Sequence, residues 1–168
     1  MNREPDNLSM DKCVPYVAGS EQETVRLGAL LGHCLKSGDF VALVGELGSG
    51  KTWFTKGLAL GLGISPETVI TSPSFALMNE YQGRIPLFHM DAYRLEELSA
   101  FLSAGLEEYF YEEGVVAMEW ADRWPEILPA TRVTVRITIL DEVSRRITLS
   151  GSHPRAIEIL EELEQLLR

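Results

Sequence analysis

Residues 45–52 read GELGSGKT, a combination of residue types and spacing that suits the binding of a phosphate chain. The glycines tolerate positive φ and carry no side chain, so backbone N–H groups can converge on phosphate oxygens. Lys51 would reach the outer phosphates, and the hydroxyl of Thr52 would ligate Mg²⁺. The spacing matches a Walker A loop in full and predicts a site for a nucleoside triphosphate and its magnesium ion.

The segments on either side of this loop have the character that such a motif requires. Residues 40–44 form a continuous apolar run, which predicts a buried strand. A helix predicted over residues 51–62 would point its positive end at the bound anion. The residues expected to bind the nucleotide are Gly45, Glu46, Leu47, Gly48, Ser49, Gly50, Lys51, Thr52 and Trp53. Trp53 stands where many such loops carry a second hydroxyl, so we expect only its backbone N–H to face a phosphate.

Two carboxylates follow predicted strands and are candidates for organising the metal and a water molecule. Glu119 follows the apolar run at 115–118, and Asp91 closely follows the run at 85–89. Because ligands of parallel sheets lie at the C-terminal ends of strands, both carboxylates are expected near the loop. Either one could polarise the attacking water, and the sequence leaves that choice open. His89 is equally open between a catalytic base and a structural hydrogen-bonding group.

Other polar and aromatic residues are candidates for the rest of the site. The loop TSPSF at 71–75 offers hydroxyls that could sense the γ-phosphate, or it is an ordinary proline-containing loop. Arg94 could stabilise the transition state within the same chain or form a structural salt bridge. Trp120 and Trp124 could stack on a base or pack on a partner, and buried packing is expected for at least one of them. The sequence has no Asn-Lys-x-Asp segment for guanine, so ATP is expected, with its adenine near Ser20 and Glu21.

The remaining pattern predicts an α/β fold. An edge strand is expected at 14–17, and a helix begins with a capping-box spacing from Ser20 to Glu23 and ends at Gly38. Further predicted elements are a hairpin of 75–81 with 85–89, a helical region at 94–112 broken at Gly105, a pair of antiparallel strands at 133–139 and 145–150, and a final helix from 152. We therefore predict a P-loop NTPase-like sheet with helices on both faces and a C-terminal antiparallel hairpin.

Size and composition limit the class of protein. The 168 residues suit one ATPase domain at 14–168, preceded by an extension at 1–13 that we expect to be mobile. The formal net charge of −10 argues against direct binding to a nucleic-acid backbone. No apolar stretch reaches the roughly 20 residues of a membrane span, and the first dozen residues lack a secretory signal. We expect a cytoplasmic protein, without a membrane partner, whose Cys13 and Cys34 are unpaired thiols.

Four segments, in this order, resemble the TsaE (formerly YjeE) family of bacterial tRNA-modification ATPases. They are GELGSGKT at 45–52, TSPSFAL from 71, HMDAYRL at 89–95 and MEWAD at 118–122. The first segment is generic to P-loop proteins, whereas the other three are far more specific when they occur together in so short a chain. The resemblance covers roughly residues 20–150.

The resemblance implies a function and a role for several residues. Family members are small cytoplasmic ATPases needed for the threonylcarbamoyl modification (t6A) of adenosine beside the anticodon, in tRNAs that read codons starting with A. They bind TsaD in its complex with TsaB, meet tRNA only through these partners, and do not transfer the group themselves. By motif, Thr52 and Glu119 would hold Mg²⁺, and Lys51 the phosphates. Asp91 would be an essential acid near the γ-phosphate, and Trp120 would lie near the nucleotide or the partner.

The resemblance also assigns Thr71 and Ser72 to a switch-like loop. Without an obvious arginine finger, we expect slow hydrolysis by the chain alone and completion of the site by a partner. Two other functions remain open. One is a small-molecule kinase, which would need an acceptor pocket and usually an arginine-bearing lid. The other is a nucleotide-dependent scaffold, in which ATP binding alone assembles the complex.

Overall fold

The computed structural model describes residues 11–168, so most of the extension expected at 1–13 lies outside the described residues. Seven strands form a single sheet: β1 (Lys12–Ala18), β2 (Phe40–Val44), β3 (Met78–Tyr81), β4 (Leu87–Asp91), β5 (Val115–Glu119), β6 (Val133–Ile139) and β7 (Arg145–Gly151). The α-helices are α1 (Glu21–Cys34), α2 (Lys51–Gly61), α3 (Leu98–Ser103) and α4 (Pro154–Leu167). Short 3₁₀ helices occupy Leu106–Tyr111, Ala121–Arg123 and Pro125–Ile127.

The strand order is β1-β7-β6-β2-β5-β4-β3, with a parallel centre and antiparallel flanks. Strands β6, β2, β5 and β4 run parallel, while β7, β1 and β3 are antiparallel to their neighbours. The C-terminal ends of the parallel strands therefore lie along one edge of the sheet. Strand β2 leads into the glycine-rich loop at this edge, and the carboxylates Asp91 and Glu119 end β4 and β5.

Helices cover both faces of the sheet, as predicted, but unequally. Helices α1, α2 and α4 pack on one face, around a core that includes Leu31, Phe54 and Leu160. Helix α3, the 3₁₀ segments and loops cover the other, where Phe101 and Trp124 are buried. Strands β2, β4 and β5 are buried along their whole length, which explains their continuous apolar runs. Within residues 11–168, no helix combines the length and apolar character needed to cross a membrane.

Helix α1 begins as predicted and ends earlier than predicted. The Ser20 side chain accepts a hydrogen bond from the N–H of Glu23, as the capping pattern requires. The prediction that the helix ends at Gly38 was wrong, because the buried Leu35 already leaves it in an extended conformation. The side chain of Asp39 then accepts the N–H of Lys36 at 2.7 Å and closes a turn in which Gly38 has φ +95°.

Two predicted elements are shorter than expected. Strand β3 begins at Met78 rather than residue 75, because the N–H of Leu77 donates to Pro73 O at 2.8 Å and closes a turn. Leu77 takes the left-handed conformation there, with φ 67°. In the region 94–112, helical structure begins only at α3 and is broken at Gly105, the position predicted for the break.

Close packing of α1 against α2 fixes the helix that follows the loop. Gly28 and Gly57 face each other, and a Cβ on Gly57 would lie 2.8 Å from Gly28 Cα and closer still to the Val25 carbonyl. The backbones can approach this closely only because neither position carries a side chain. The guanidinium of Arg84, in the turn between β3 and β4, also donates to the carbonyls of Gly32 and Gly61 and joins the ends of the two helices.

The two cysteines are free thiols, as predicted. Cys13 is exposed on β1, and Cys34 is buried at the end of α1. Burial raises the pKa of the Cys34 thiol to about 12, so this thiol stays protonated and unreactive near neutral pH.

Candidate active site

The loop between β2 and α2 has the backbone of a phosphate-binding loop. Gly48 and Gly50 have φ +78° and +110°, conformations that side-chain-bearing residues rarely adopt. Gly50 is the N-cap of α2 and, as a glycine, has no side chain to cap the first N–H groups of the helix. The first N–H groups of α2 therefore lack helical acceptors and, with the positive end of the helix dipole, favour an anion at this position.

Lys51 is buried at the base of the loop. Its ammonium donates to the carbonyls of Gly45 and Glu46 at 2.7 and 2.9 Å and lies 4.3 Å from the centroid of the Trp120 ring. Burial lowers the pKa of Lys51, and the nearby carboxylates, Glu119 first among them, oppose this shift. The nearby carboxylates thus offset only part of the cost of burying the amine, which lies beside the N-terminus of α2.

Glu119 joins the loop to the neighbouring strands. Its Oε1 accepts the hydroxyl of Thr52 at 3.1 Å and lies 2.9 Å from Nε2 of His89. Since an ionised carboxylate can only accept, His89 donates from Nε2. The His89 ring is fully buried, and its Nδ1 has no partner among the described residues. Of the two roles open to His89, this position behind Glu119 favours the structural hydrogen-bonding group.

Asp91 lies directly beside Glu119, because β4 and β5 pair these two residues in register. Its Oδ2 accepts the hydroxyl of Ser72, and its Oδ1 accepts the N–H of Tyr93 at 2.8 Å. The loop at 71–75 therefore reaches the candidate acid through Ser72. Thr71 is exposed.

Trp120 follows Glu119 with φ 58°, a strained conformation for a bulky residue and one that concentrates at functional sites. Its ring packs against Tyr93, with centroids 4.9 Å apart. The guanidinium of Arg123 holds the Tyr93 segment by donating to the carbonyls of Ala92, Tyr93 and Leu95. No sequence motif singles out Arg123, since its partners are backbone carbonyls about 30 residues earlier in the chain.

These side chains surround a cavity of about 600 Å³. Its lining unites Lys51, Thr52, Trp53, Asp91, Glu119 and Trp120 with Leu47, Gly48, Gly50, Ser72, Ser74, Tyr93 and Arg94. Three residues expected to bind nucleotide are not part of this lining. Gly45 and Glu46 instead present carbonyls to Lys51, and Ser49 is buried within the loop.

Arg94 lies at the rim of this cavity. Its guanidinium is 4.0 Å from the centroid of the Phe75 ring, which is itself 82% exposed. Within residues 11–168, Arg94 forms no salt bridge, so the structural pair considered from the sequence is not observed.

A second cavity, of about 330 Å³, lies on the other side of the loop. Its lining includes Ser20 and Glu21, where the sequence suggested adenine, together with Trp53. The turn between β6 and β7 supplies Glu142 and Val143, and the first residue of β7 supplies Arg145; no motif identifies these residues. The two cavities share Gly48, Gly50 and Trp53.

The donor set fits a magnesium ion that arrives with phosphates. The Thr52 hydroxyl and the Glu119 carboxylate meet at the start of α2, and Asp91 lies beside them. No group of three or more His, Cys, Asp or Glu side chains could hold a metal within the part of the chain that the structure describes. Mg²⁺ usually takes one or two carboxylates and completes its shell with water and substrate phosphates.

The strand–loop–helix unit, the lysine at its turn and the carboxylates on adjacent parallel strands define a P-loop NTPase-like fold. The family model described as threonylcarbamoyl adenosine biosynthesis protein TsaE matches residues 18–147. The chain belongs to the TsaE family.

Relatives and a solved structure agree with this assignment. The chain is 46% identical to the tRNA threonylcarbamoyladenosine biosynthesis protein TsaE of Treponema pallidum, over 80% of this chain and 98% of that protein. It is 41% identical to the TsaE protein of Bacillus subtilis, over 86% of this chain and 89% of that one. The crystal structure of YdiB from Bacillus subtilis superposes with a TM-score of 0.81 at 36% identity, covering 95% of this chain and 99% of YdiB.

Proposed function

We propose that this chain is a cytoplasmic, Mg²⁺-dependent ATPase of the machinery that makes threonylcarbamoyladenosine beside the anticodon of tRNA. It acts on a TsaD–TsaB complex, does not transfer the threonylcarbamoyl group itself and meets tRNA only through these partners. The observation that carries the proposal is the contact of Thr52 with Glu119 beside the buried Lys51. The names of the relatives supply the pathway.

In this proposal, the chain stabilises the charge of the transferring phosphoryl group. Lys51 and the amides of the loop bind the β- and γ-phosphates and compensate the charge that develops on their oxygens. Thr52 and Glu119 would hold Mg²⁺, which when bound neutralises phosphate charge. Asp91 or Glu119 orients the attacking water and receives its proton. The hydroxyl of Ser72, bound to Asp91, would link this acid to the state of the loop at 71–75.

The two cavities suggest how ATP is oriented. The triphosphate would enter the larger cavity beside Trp120, and the nucleoside would occupy the smaller one near Ser20 and Glu21. The loop and Trp53 lie between them, so an extended nucleotide would pass over the N-terminus of α2.

Two observations support partner dependence: the contact of Arg94 with Phe75, and the net charge of the chain. Arg94 rests on the exposed Phe75, so a partner that contacts Phe75 could release Arg94 toward the phosphates. The net charge of −10 suits docking on a more basic protein and disfavours competition for tRNA phosphates. Both observations support slow turnover alone and faster turnover in the complex.

The test is phosphate release from MgATP by the purified chain, alone and with TsaD–TsaB, beside a Lys51→Ala control. We expect slow phosphate release by the chain alone and clearly faster release with TsaD–TsaB. Lys51→Ala should release no phosphate under either condition. Equal rates with and without TsaD–TsaB would contradict completion of the site by a partner.

Two further experiments, labelled ATP with a metabolite panel and tRNA modification by an Asp91 variant, separate the two other functions. A small-molecule kinase would convert a member of a metabolite panel into a phosphorylated product instead of releasing free phosphate. For a scaffold, Asp91→Asn would abolish hydrolysis, still bind ATP and still support tRNA modification. We expect Asp91→Asn to lose both hydrolysis and modification while it binds ATP.

A further inference from the structure

Arg145, the first residue of β7, joins the β6–β7 hairpin to the phosphate loop. Its Nε donates to the carbonyl of Ser49 at 2.9 Å, and its Nη2 lies 3.4 Å from the carbonyl of Gly48. Its Nη1 donates to the carbonyls of Asp141 and Ser144 in the hairpin turn, at 2.9 and 3.0 Å. One guanidinium thus bridges two segments that lie 96 residues apart in sequence.

The orientation of these carbonyls decides where the loop amides point. In a trans peptide the C=O and the following N–H point in opposite directions. When Arg145 holds the Ser49 carbonyl, the N–H of Gly50 is directed away from Arg145. The contact of Arg145 with the Gly48 carbonyl likewise directs the N–H of Ser49 away from Arg145. The Ser49 N–H donates to the carbonyl of Glu46 at 3.1 Å.

The glycines of the loop permit the phosphate-binding conformation, but they also permit others. Gly48 and Gly50 tolerate both positive and negative φ, so the peptides between them can rotate at little steric cost. Anion binding at such a loop requires the amides to converge on one point. Hydrogen bonds from a side chain outside the loop to these carbonyls therefore favour the conformation in which the amides converge.

We propose that Arg145 is a positioning residue that keeps the phosphate loop in its binding conformation through the carbonyls of Gly48 and Ser49. This inference rests on the proposed function, because it concerns the affinity of the same site for a polyphosphate tail. Arg145 also lines the smaller cavity proposed for the nucleoside, but the inference predicts an effect that depends on the fork of donors of the guanidinium and is equally present for a ligand without a nucleoside.

The experiment compares Arg145→Met and Arg145→Lys with the unchanged protein, using Arg146→Met as the matched control. Arg146 is the next residue of the same strand, is exposed, and carries the same charge. Affinities are measured by calorimetry for MgATP and for magnesium tripolyphosphate, and folding is followed by thermal unfolding. We expect Arg145→Met to weaken both ligands by a similar factor of roughly tenfold, the scale of one hydrogen bond to a charged group. Arg146→Met should leave both affinities unchanged.

The lysine variant separates geometry from charge. Arg145→Lys would keep the charge, but a single ammonium lacks the planar fork that reaches four carbonyls, so this variant should bind both ligands more weakly as well. Affinities equal to those of the unchanged protein in Arg145→Lys would overturn the role of geometry. A loss for MgATP without a loss for tripolyphosphate would show direct contact with the nucleoside and overturn the inference.

Two further results also decide the matter. A lower melting temperature with unchanged affinities would make Arg145 a purely structural residue and overturn the inference. If the unchanged protein bound neither ligand, both the proposed function and the inference about Arg145 would fail. If the unchanged protein bound both ligands and the Arg145 variants bound them equally well, only the inference would fail.

Discussion

At the scale of single residues, the candidate site is a set of polar groups that satisfy one another. Glu119 accepts from Thr52 and His89, Asp91 accepts from Ser72, and Lys51 donates to the loop carbonyls. Buried polar groups are costly unless they are hydrogen-bonded, so each contact also fixes the direction of its neighbour. The carboxylate proposed to hold the metal is thereby oriented before any ligand binds.

His89 provides the first prediction at this scale. His89→Leu removes one of two donors to Glu119 Oε1, so the carboxylate loses part of its orientation. We expect the Mg²⁺ concentration for half-maximal ATP hydrolysis to rise about 10-fold or more, the usual effect of losing a partner behind a metal ligand. Magnesium titrations of the hydrolysis rate, with TsaD–TsaB present, measure this change.

The control is His89→Gln, whose amide N–H can replace the donor and should recover much of the magnesium dependence. Nucleotide binding in the absence of Mg²⁺ should be nearly the same in both variants. An unchanged magnesium dependence in a folded His89→Leu protein would show that the bond to Glu119 has no part in metal binding.

At the scale of elements, the site depends on how α2 and the strand ends are held together. The register of β4 with β5 brings Asp91 beside Glu119, and the register of β2 with β5 places Glu119 next to the strand that leads into the loop. Helix α2 begins at Lys51, so its packing against α1 also locates the lysine. The facing Gly28 and Gly57 control that distance.

We expect Gly57→Ala to destabilise the protein, although alanine favours a helix over glycine by about 1 kcal/mol. The new Cβ would meet the backbone of α1, and overpacking of this kind costs typically about 1–3 kcal/mol. Thermal unfolding should show a melting temperature that is lower by about 2–4 °C for each kcal/mol of unfolding free energy lost. ATP affinity should fall as well, because α2 is displaced.

Gly19→Ala is the matched control, since the nearest atom to its new Cβ, an oxygen of Glu23, would lie 3.5 Å away. It should melt close to the unchanged protein. A Gly57→Ala protein as stable as this control would mean that the two helices can separate at no cost.

At the scale of the whole molecule, local structure was predictable from the sequence and long-range pairing was not. The glycine-rich turn between β2 and α2, the burial of β2 and the hairpin of β6 with β7 follow from motifs and periodicity within short segments. Strand order, the pairing of β1 with β7 and the contact of Arg145 with the loop join residues distant in sequence. Their partners are backbone groups or apolar faces, which carry no sequence signature.

The two differences in element length have different origins. Strand β3 was predicted too long because Phe75 and Leu77 are apolar, yet the turn closed by Pro73 and Leu77 exposes Phe75 instead. Helix α1 was predicted too long because Gly38 is a typical helix stop, whereas burial of Leu35 ended the helix first. A local turn therefore shortened β3, whereas tertiary packing overrode a local preference at the end of α1.

The central claim is that the loop between β2 and α2 binds the triphosphate of ATP together with magnesium. The most direct measurement is a calorimetric titration of the protein with ATP, with and without Mg²⁺ and in the presence of TsaD–TsaB. We expect saturable binding of one nucleotide per chain, tighter with magnesium, and weakened roughly tenfold or more by Lys51→Ala through loss of a charge-assisted contact. The absence of binding heat at saturating MgATP, together with a failure of MgATP to compete with any other nucleotide for the protein, would contradict the claim.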